Sequence, residues 1–580
     1  VAKGVPCEVR DVGELPHPSE LKRAQKMVFI LSNYGEGQPP DHARDFCEYW
    51  YKQQHPAGEL ENLQFALFGL GNSVNFPERY QAIGIRMFDC FTSLGAHPFV
   101  ERGEGDDADD IEGDFELWEE KFWGKYQALQ GKEGGAVPDV KGASVSPTAK
   151  AGSNLEILSS TPELLQRTTE SRFPLSDNSG KDAKNPSPCK ILKKENLLEE
   201  GTLGYVSHIE AQILRDPATG RPVFTYETGD HIGIFPCSFA PDVERTLAAL
   251  GVDGNVCFRL RKPSEITGKA EDDASINRLR GALYEGCSLR YALTNILDVN
   301  TVSKPILRLL ISHAAAGSAS HRALSSMDEN YAEEVKRQFL ILPDLLERFN
   351  DVQVPWEQLV DILQPLQPRF YSLSSSSTMY PDQAHVTVNQ IFNPSNDGKS
   401  RFQGLCSTFC KTLQTGDTIH MSVRPSHFRL PTDPNLPIVM VAGGSGIAPF
   451  IGLLQELETR GSVDHAEVYL FFGVRSPKYE LYRDQLKQFL AAGVLTQYHV
   501  AYSDQCPAEH HEGTMMLAPK IQQFREELKG ALVQRPGHML VCGGASAFVQ
   551  SIRDCFADIL GGQAQLELAM KQGTYVEDCA

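Results

Sequence analysis

No stretch of this 580-residue chain approaches the roughly 20 consecutive apolar residues that a membrane-spanning helix requires. No signal segment opens the sequence, and none of the 13 cysteines forms a C-x-x-C pair. A disulfide framework or a cysteine zinc site is therefore not expected, and a reducing, cytosol-facing compartment fits. Positive charge is scarce: 55 Lys and Arg against 75 Asp and Glu leave a net charge of −20. That balance argues against a nucleic-acid binder, which depends on basic patches. The chain opens on Val1 rather than methionine, so it is expected to be a fragment, with any membrane anchor upstream of residue 1. Apolar content is ordinary, 41% hydrophobic and 9% aromatic. At this length several domains are expected, because single cores stop growing at about 250–300 residues.

The most informative run is Arg369-Phe370-Tyr371-Ser372, followed by Leu373 and the serines Ser374 to Ser377. Bulky and polar side chains alternate over its first half, the pattern of a half-buried strand. A guanidinium there can grip a pyrophosphate through paired bonds, an aromatic ring can cover a planar heterocycle, and short hydroxyls can donate hydrogen bonds without crowding it. Further on stand a glycine turn, Gly404-Leu405-Cys406-Ser407, and the strand and turn Val423 to Pro431. From Pro437 an apolar run feeds Gly443-Gly444-Ser445-Gly446 and then Ile447-Ala448-Pro449. This reads as a buried parallel strand, a glycine turn and a helix with proline in its first turn, where backbone and helix N-terminus approach a dinucleotide.

Nearer the N-terminus a similar device recurs. Lys26 to Leu31 runs into Ser32-Asn33-Tyr34-Gly35, and Phe65 to Gly69 into Leu70-Gly71-Asn72 and then Asn75-Phe76-Pro77. A third loop, Gly103 to Asp107, follows a strand ending at Val100. Open α/β sheets bind ligands at such strand ends. The stretch Glu101–Glu120 is acidic, with Arg102 almost its only cation. It is either solvated surface or a docking face for a basic redox partner, since complementary charge raises encounter rates. From Gly131 to Cys189 the composition turns to Gly, Ser, Pro, Thr, Lys and Asp with little apolar periodicity, which reads as linker. Strands are expected at Ile209–Leu214 and Thr225–Pro236, and helical periodicity at Asp242–Leu250 and Tyr331–Phe349.

These motifs, in this order, resemble the diflavin reductase family, and within it the members that reduce haemoproteins. The resemblance implies a multidomain α/β and β-barrel fold. A flavodoxin-like FMN domain, incomplete at its N-terminus, would span 1–130, and a flexible linker 131–189. An FAD-binding antiparallel barrel would span 190–432, with a helical insertion at about 240–365, and a Rossmann-like NADP-binding domain 433–580. Electrons would pass from NADPH through FAD and FMN to a haemoprotein docked on the acidic FMN-domain face, in the cytoplasm or on the cytosolic face of the endoplasmic reticulum. Other acceptors stay open, namely a sulfite reductase haemoprotein, an iron–sulfur assembly protein or methionine synthase. So does a degenerate, non-catalytic interaction module.

Carried over position by position, the resemblance assigns FMN to Ser32, Asn33, Tyr34, Gly35, Leu70, Gly71, Asn72, Phe76 and Asp106, with Tyr34 and Phe76 sandwiching the ring. It assigns FAD to Arg290, Arg369, Phe370, Tyr371, Ser372, Thr387, Val388, Asn389, Gly404, Leu405, Cys406 and Ser407. Gly444, Ser445, Gly446, Arg475, Ser503, Asp504 and Cys542 are assigned to the nicotinamide dinucleotide. Ser372, Cys542 and Asp578 match the polar residues at the nicotinamide–flavin contact, with Ser372 near N5, Cys542 beside C4 and Asp578 stabilising the oxidised nicotinamide. No metal is implied.

Three departures modify these expectations. The family's phosphate loop does not precede Lys26, so weak FMN retention is expected. Asp504 stands where the family usually has the arginine that holds the NADPH 2′-phosphate, and His510-His511-Glu512-Gly513 lacks its Lys-x-Tyr, so NADH becomes a second candidate. Ala580 replaces the aromatic that covers the flavin, so tighter nicotinamide binding is expected.

Overall fold

A computed structural model describes residues 10–15, 17–33, 37–72, 79–106, 111–130, 154–168, 171–268, 273, 276–394, 400–461, 466–504, 516–544 and 546–578. The chain divides into two compact units. One holds 1–152 with 302–340 and 351–354, and the other 153–301 with 341–350 and 355–580.

In the first unit, short apolar runs build a parallel sheet of β1 (Lys26–Ser32), β2 (Gln64–Gly71), β3 (His97–Pro98) and β4 (Gly103–Asp106), each pairing with β2. Alternation sends β2 side chains to both faces. Phe65 and Leu67 pack with Phe46, Trp50, Met87 and Phe91 from the helices Asp41–Lys52 and Ala82–Ser93. Ala66 and Phe68 pack with Trp118 and Phe122 of the helix Ile111–Gln130. Burial on both faces explains why β2 reads as a continuous apolar run. Among the described residues strand β1 is the sheet's edge: its Val28 and Ile30 are 47% and 55% exposed and border a cavity of about 990 Å³.

In the second unit, six strands form an antiparallel sheet in the order β11 (Arg369–Ser372), β8 (His231–Phe235), β15 (Thr418–Arg424), β6 (Ser187–Asn196), β7 (Val206–Ile213) and β12 (Gln383–Asn389). A bridge from Leu373 to Val386, with the Ser374 N–H donating to the His385 carbonyl at 2.8 Å, joins the two end strands into a barrel. Its core holds Ile209, Ala211, Ile232, Ile234, Val386 and Met421. A small sheet joins β5 (Leu155–Leu158), β9 (Cys257–Leu260) and β10 (Cys287–Ser288), and β13 (Phe392–Pro394) pairs with β14 (Ser400–Gln403). The last sheet is parallel, in the order β18 (Gln497–Tyr502), β17 (Val468–Val474), β16 (Ile438–Gly443), β19 (His538–Cys542) and β20 (Tyr575–Asp578).

Several expectations are corrected here. Residues 154–189 are not linker: β5 pairs with β9 in the register Leu155↔Leu260, Arg172 and Phe173 are buried, and β6 begins at Ser187. Their few apolar residues are placed by partners about a hundred positions away, which composition does not register. Barrel and nucleotide-binding sheet share one unit, while the helices Lys304–His313 and Ala319–Glu329 of the expected insertion group with the first. The helical pattern at Tyr331–Phe349 breaks at Phe339, which has a left-handed φ of 52°, before a new helix Leu342–Arg348 starts with Pro343 in its first turn. Thr225–Asp230 precedes β8 as a loop rather than as its first half.

Candidate functional site

Strand β11 carries the flavin motif, and its register against β8 sets Phe370 opposite Gly233 and Ser372 opposite His231. A Cβ on Gly233 would lie 2.9 Å from the Phe370 ring, so only glycine lets that ring lie flat there, with the Arg424 guanidinium 4.1 Å from its centroid. Arg369 is exposed and donates from Nη1 to the Gln367 carbonyl at 3.0 Å. Burial pushes the Tyr371 phenol up, and its contacts with Cys406 and Cys410 push it further. Gly404 precedes the helix Leu405–Thr412, whose Ser407 hydroxyl accepts from the Ile391 N–H at 3.1 Å and donates to the Gly404 carbonyl at 3.1 Å. An exposed guanidinium, a glycine and a helix N-terminus on neighbouring elements suit a pyrophosphate, so these residues fit FAD.

The serines beyond the flavin strand, and two of the expected FAD residues of β12, are not gathered there. Ser374, Ser375 and Ser376 are fully buried. Ser375 shares a 2.6 Å hydrogen bond with the Tyr226 hydroxyl, and Ser376 donates to Glu456 at 2.6 Å. Thr387 Oγ1 lies 2.5 Å from the Tyr482 hydroxyl, and Val388 is in the barrel core. Both faces of β12 are covered, so these two side chains are used in packing; Asn389 at the strand end is exposed. Arg290 follows Ser288, which caps the helix Leu289–Asn295, and pairs with Glu244.

The barrel and the parallel sheet of this unit meet at Asp578. Strands β19 and β20 place Cys542 opposite Asp578. Ser372 donates to Asp578 Oδ2 at 2.6 Å, His231 Nε2 lies 2.8 Å from Oδ1, and Cys542 Sγ is 4.0 Å from Oδ2. Burial alone would raise the Asp578 pKa; the His231 bond and charge, then Ser372 and Arg424, outweigh it and hold it below the ordinary carboxylate value. The trio predicted for the nicotinamide–flavin contact is thus assembled, with His231 as a fourth member. In the sequence His231 is legible only as a member of the expected strand Thr225–Pro236.

The nucleotide turn Gly444–Ile447 leads into the helix Ala448–Arg460. Gly444 has a φ of 54°, and a Cβ on Gly446 would lie 2.3 Å from the Cys542 carbonyl, so glycine is required at both. That contact brings the turn against the strand end bearing Cys542. Arg475 and Asp504 are exposed at the ends of β17 and β18. The Asp504 N–H donates to the Arg475 carbonyl at 2.9 Å, and Ser503 Oγ donates to Asp504 Oδ1 at 2.9 Å. His510, His511, Glu512, Gly513 and Ala580 lie outside the described residues.

In the first unit, Ser32, Asn33, Leu70, Gly71, Asn72 and Asp106 cluster at the C-terminal ends of β1, β2 and β4. Asn33 donates to the Arg79 carbonyl at 2.7 Å and accepts from the Ile83 N–H, in the first turn of the helix Ala82–Ser93, at 2.9 Å. The Asp106 N–H donates to Asp114 at 2.9 Å. Tyr34, Gly35 and Phe76 lie outside the described residues, as do Asp109 and Asp110 of the acidic stretch. Among the described residues, His208, Glu210 and His385 bring ligand atoms within 4.8 Å of one another. Each has a protein partner already: Tyr482 at His208, Lys193 at Glu210 and Gln383 at His385.

Family models match in the same order: flavodoxin over residues 1–118, FAD-binding domain over 179–409 and oxidoreductase NAD-binding domain over 440–554. The chain is 28% identical over 572 residues to an NADPH–cytochrome P450 reductase of Dictyostelium discoideum, covering 96% of this chain and 81% of that protein. It is 28% identical over 583 residues to the human NADPH–cytochrome P450 reductase, covering 97% and 80%. A bifunctional cytochrome P450/NADPH–P450 reductase of Bacillus subtilis matches at 28% over 544 residues, covering 92% of this chain and 46% of the longer protein. The chain belongs to the diflavin reductases.

Within this diflavin reductase, the matched FAD-binding segment starts at 179, inside the stretch expected as linker. The cofactors are FAD, FMN and NADPH. Among the described residues of the reductase, no helix is long and apolar enough to cross a membrane.

Proposed function

We propose that this reductase carries electrons from NADPH through FAD and FMN to a haemoprotein, and that Ser372, Cys542 and Asp578 form its hydride-transfer contact. The observation that carries the reading is the meeting of Ser372, on the flavin strand, with Asp578 at the end of the nucleotide-binding sheet. When bound, FAD accepts hydride from the nicotinamide and the flavins release electrons singly. The chain orients these groups. Arg369 and the Gly404–Ser407 turn hold the flavin pyrophosphate, and the Gly444–Gly446 turn holds the dinucleotide. The Asp578 carboxylate, 9% exposed, keeps its charge in a site from which water is largely excluded. Its hydrogen bond holds the Ser372 proton at Oγ, at the strand end where the reacting faces meet.

The acidic stretch Glu101–Glu120, which includes β4, is the proposed docking face. Glu101, Glu104 and Glu120 are exposed, whereas Trp118 and Phe122 of the same stretch and helix face the core. Reduction of the haemoprotein is therefore expected to slow with rising salt, because exposed charge pairs are screened over about 8–10 Å at 0.10–0.15 M.

The test is quantitation of released flavin beside activity. Purified protein is expected to hold one FAD, and Arg369→Ala to weaken its FAD affinity at least tenfold, since a paired guanidinium–phosphate bond is worth about 1.5–3 kcal/mol. Folded, colourless protein that takes up no added FAD would defeat the assignment. NADPH-dependent reduction of ferricyanide is expected to persist without FMN, whereas cytochrome reduction should be slow until FMN is added. Rapid cytochrome reduction by FMN-free protein would show the first unit to be unnecessary for transfer.

A further inference from the structure

The serine run after the flavin strand does not reach toward a cofactor; it is bound to the helix that leaves the nucleotide turn. One face of that helix, Gly452, Gln455 and Glu456, lies against the run. These positions are spaced i, i+3 and i+4 and so share one side of a helix. A Cβ on Gly452 would come 2.9 Å from the Ser375 carbonyl, so the backbones touch. Gln455 Oε1 accepts from the Ser376 N–H at 2.9 Å. Glu456 collects the rest: Oε2 accepts from Ser376 Oγ at 2.6 Å and Thr228 Oγ1 at 3.1 Å, and Oε1 from Thr378 Oγ1 at 3.1 Å.

The hydrogen bonding is directional. Ser376 Oγ accepts from the Thr378 and Met379 N–H groups at 3.2 Å, and Thr228 Oγ1 accepts from the Ser377 N–H at 3.0 Å. Each hydroxyl therefore has its proton left for the carboxylate, which is the shared acceptor for three donors from two segments. Burial would raise the Glu456 pKa; the bonds from Ser376, Thr378 and Thr228, with the Arg460 charge, hold it below the ordinary value. The group stays ionised at neutral pH, as the arrangement needs.

We propose that Glu456 is a positioning residue, which pins the far end of the nucleotide-binding helix to the loop following Ser372 and so sets how the nicotinamide meets the flavin. The proposal rests on reading the Ser372–Asp578 contact as the hydride-transfer centre. The helix has 13 residues, a rod of about 20 Å. Its first turn faces the dinucleotide, and its last two turns are fixed to a loop only four residues beyond Ser372. The Thr228 arm leads to His231 and hence to Asp578, so both strands of the contact are referred to one carboxylate. Releasing that anchor lets the rod tilt, and misplacement by about 1 Å costs reactions of this kind about 10²-fold.

The experiment uses the whole 580-residue chain, FAD-loaded, and its Glu456→Ala, Glu456→Gln and Thr378→Val variants. Glu458→Gln, an exposed position on the same helix, serves as control. Flavin content, melting temperature, the rate of FAD bleaching by NADPH in stopped flow, and the long-wavelength charge-transfer absorbance of the stacked nicotinamide are measured together. Glu456→Ala is expected to keep its FAD, lose the charge-transfer band and bleach about 10–100-fold more slowly per bound FAD. Glu456→Gln and Thr378→Val should fall between it and wild type, and Glu458→Gln should match wild type. A Glu456→Ala protein with lower melting temperature and less FAD, but unchanged bleaching and band per bound FAD, would overturn the proposal and leave a merely structural role. Wild-type protein that holds FAD and is not bleached by NADPH would instead overturn the hydride-transfer reading, and this proposal with it.

Discussion

Asp578→Asn is expected to slow FAD reduction by NADPH by about 10²–10³-fold while leaving FAD content unchanged, which is the usual effect of removing a preorganised electrostatic group from a dry site. The substitution keeps the size of the side chain and removes its charge. In the wild type that charge is buried, accepts from Ser372 at 2.6 Å and faces His231 at 2.8 Å. Positive charge appears on the nicotinamide as hydride leaves, so a fixed carboxylate stabilises the transition state more than the ground state. The pH dependence has a defined sign. The folded pKa lies below the ordinary 3.8, so the charge is present throughout the range above that value. The stability it adds is likewise present above 3.8 and lost as pH falls through the depressed folded pKa. Wild-type bleaching rates should therefore carry no contribution from this group between neutrality and about pH 4. Stopped-flow bleaching at matched FAD occupancy checks the prediction; a rate within threefold of wild type would remove Asp578 from the chemistry.

Asp504→Arg is expected to shift the preference between NADPH and NADH toward NADPH by about a hundredfold. Asp504 is exposed at the end of β18, at the position that the family resemblance matches to the cation for the 2′-phosphate. Like charges about 4 Å apart at an effective dielectric near 20 repel by on the order of 4 kcal/mol. Screening and side-chain rotation reduce this, and about 2.7 kcal/mol corresponds to the hundredfold change. The carboxylate can instead accept hydrogen bonds from the free ribose hydroxyls of NADH. It already accepts from Ser503, and its backbone N–H donates to the Arg475 carbonyl at the end of the nucleotide sheet. Steady-state kcat/KM with both cofactors decides the matter. A wild-type preference for NADPH above a thousandfold, unchanged by the substitution, would show that Asp504 faces away from the 2′-position.

The sequence by itself determined the features that depend on local backbone chemistry. The glycine turn after β16 was legible because Gly444 sits at positive φ and Gly446 touches the Cys542 carbonyl, positions that exclude any side chain. The flavin strand was legible because its alternation matches a half-buried edge, and its order relative to Gly404–Ser407 fits one known arrangement. Ser372, Cys542 and Asp578 were named from their positions in the sequence, which does not say what joins them: Ser372 and Asp578 are 206 residues apart, and His231 and Asp578 are 347 apart. Only the tertiary structure decided that Ser374 to Ser376 turn inward, that Thr387 serves Tyr482, and that residues 154–189 are part of the second unit. Periodicity reports which face of a strand is apolar. Whether its polar face meets water, a cofactor or another sheet depends on which distant segment closes over it, and closure of the barrel against the nucleotide-binding sheet is a long-range event that no window of the sequence contains.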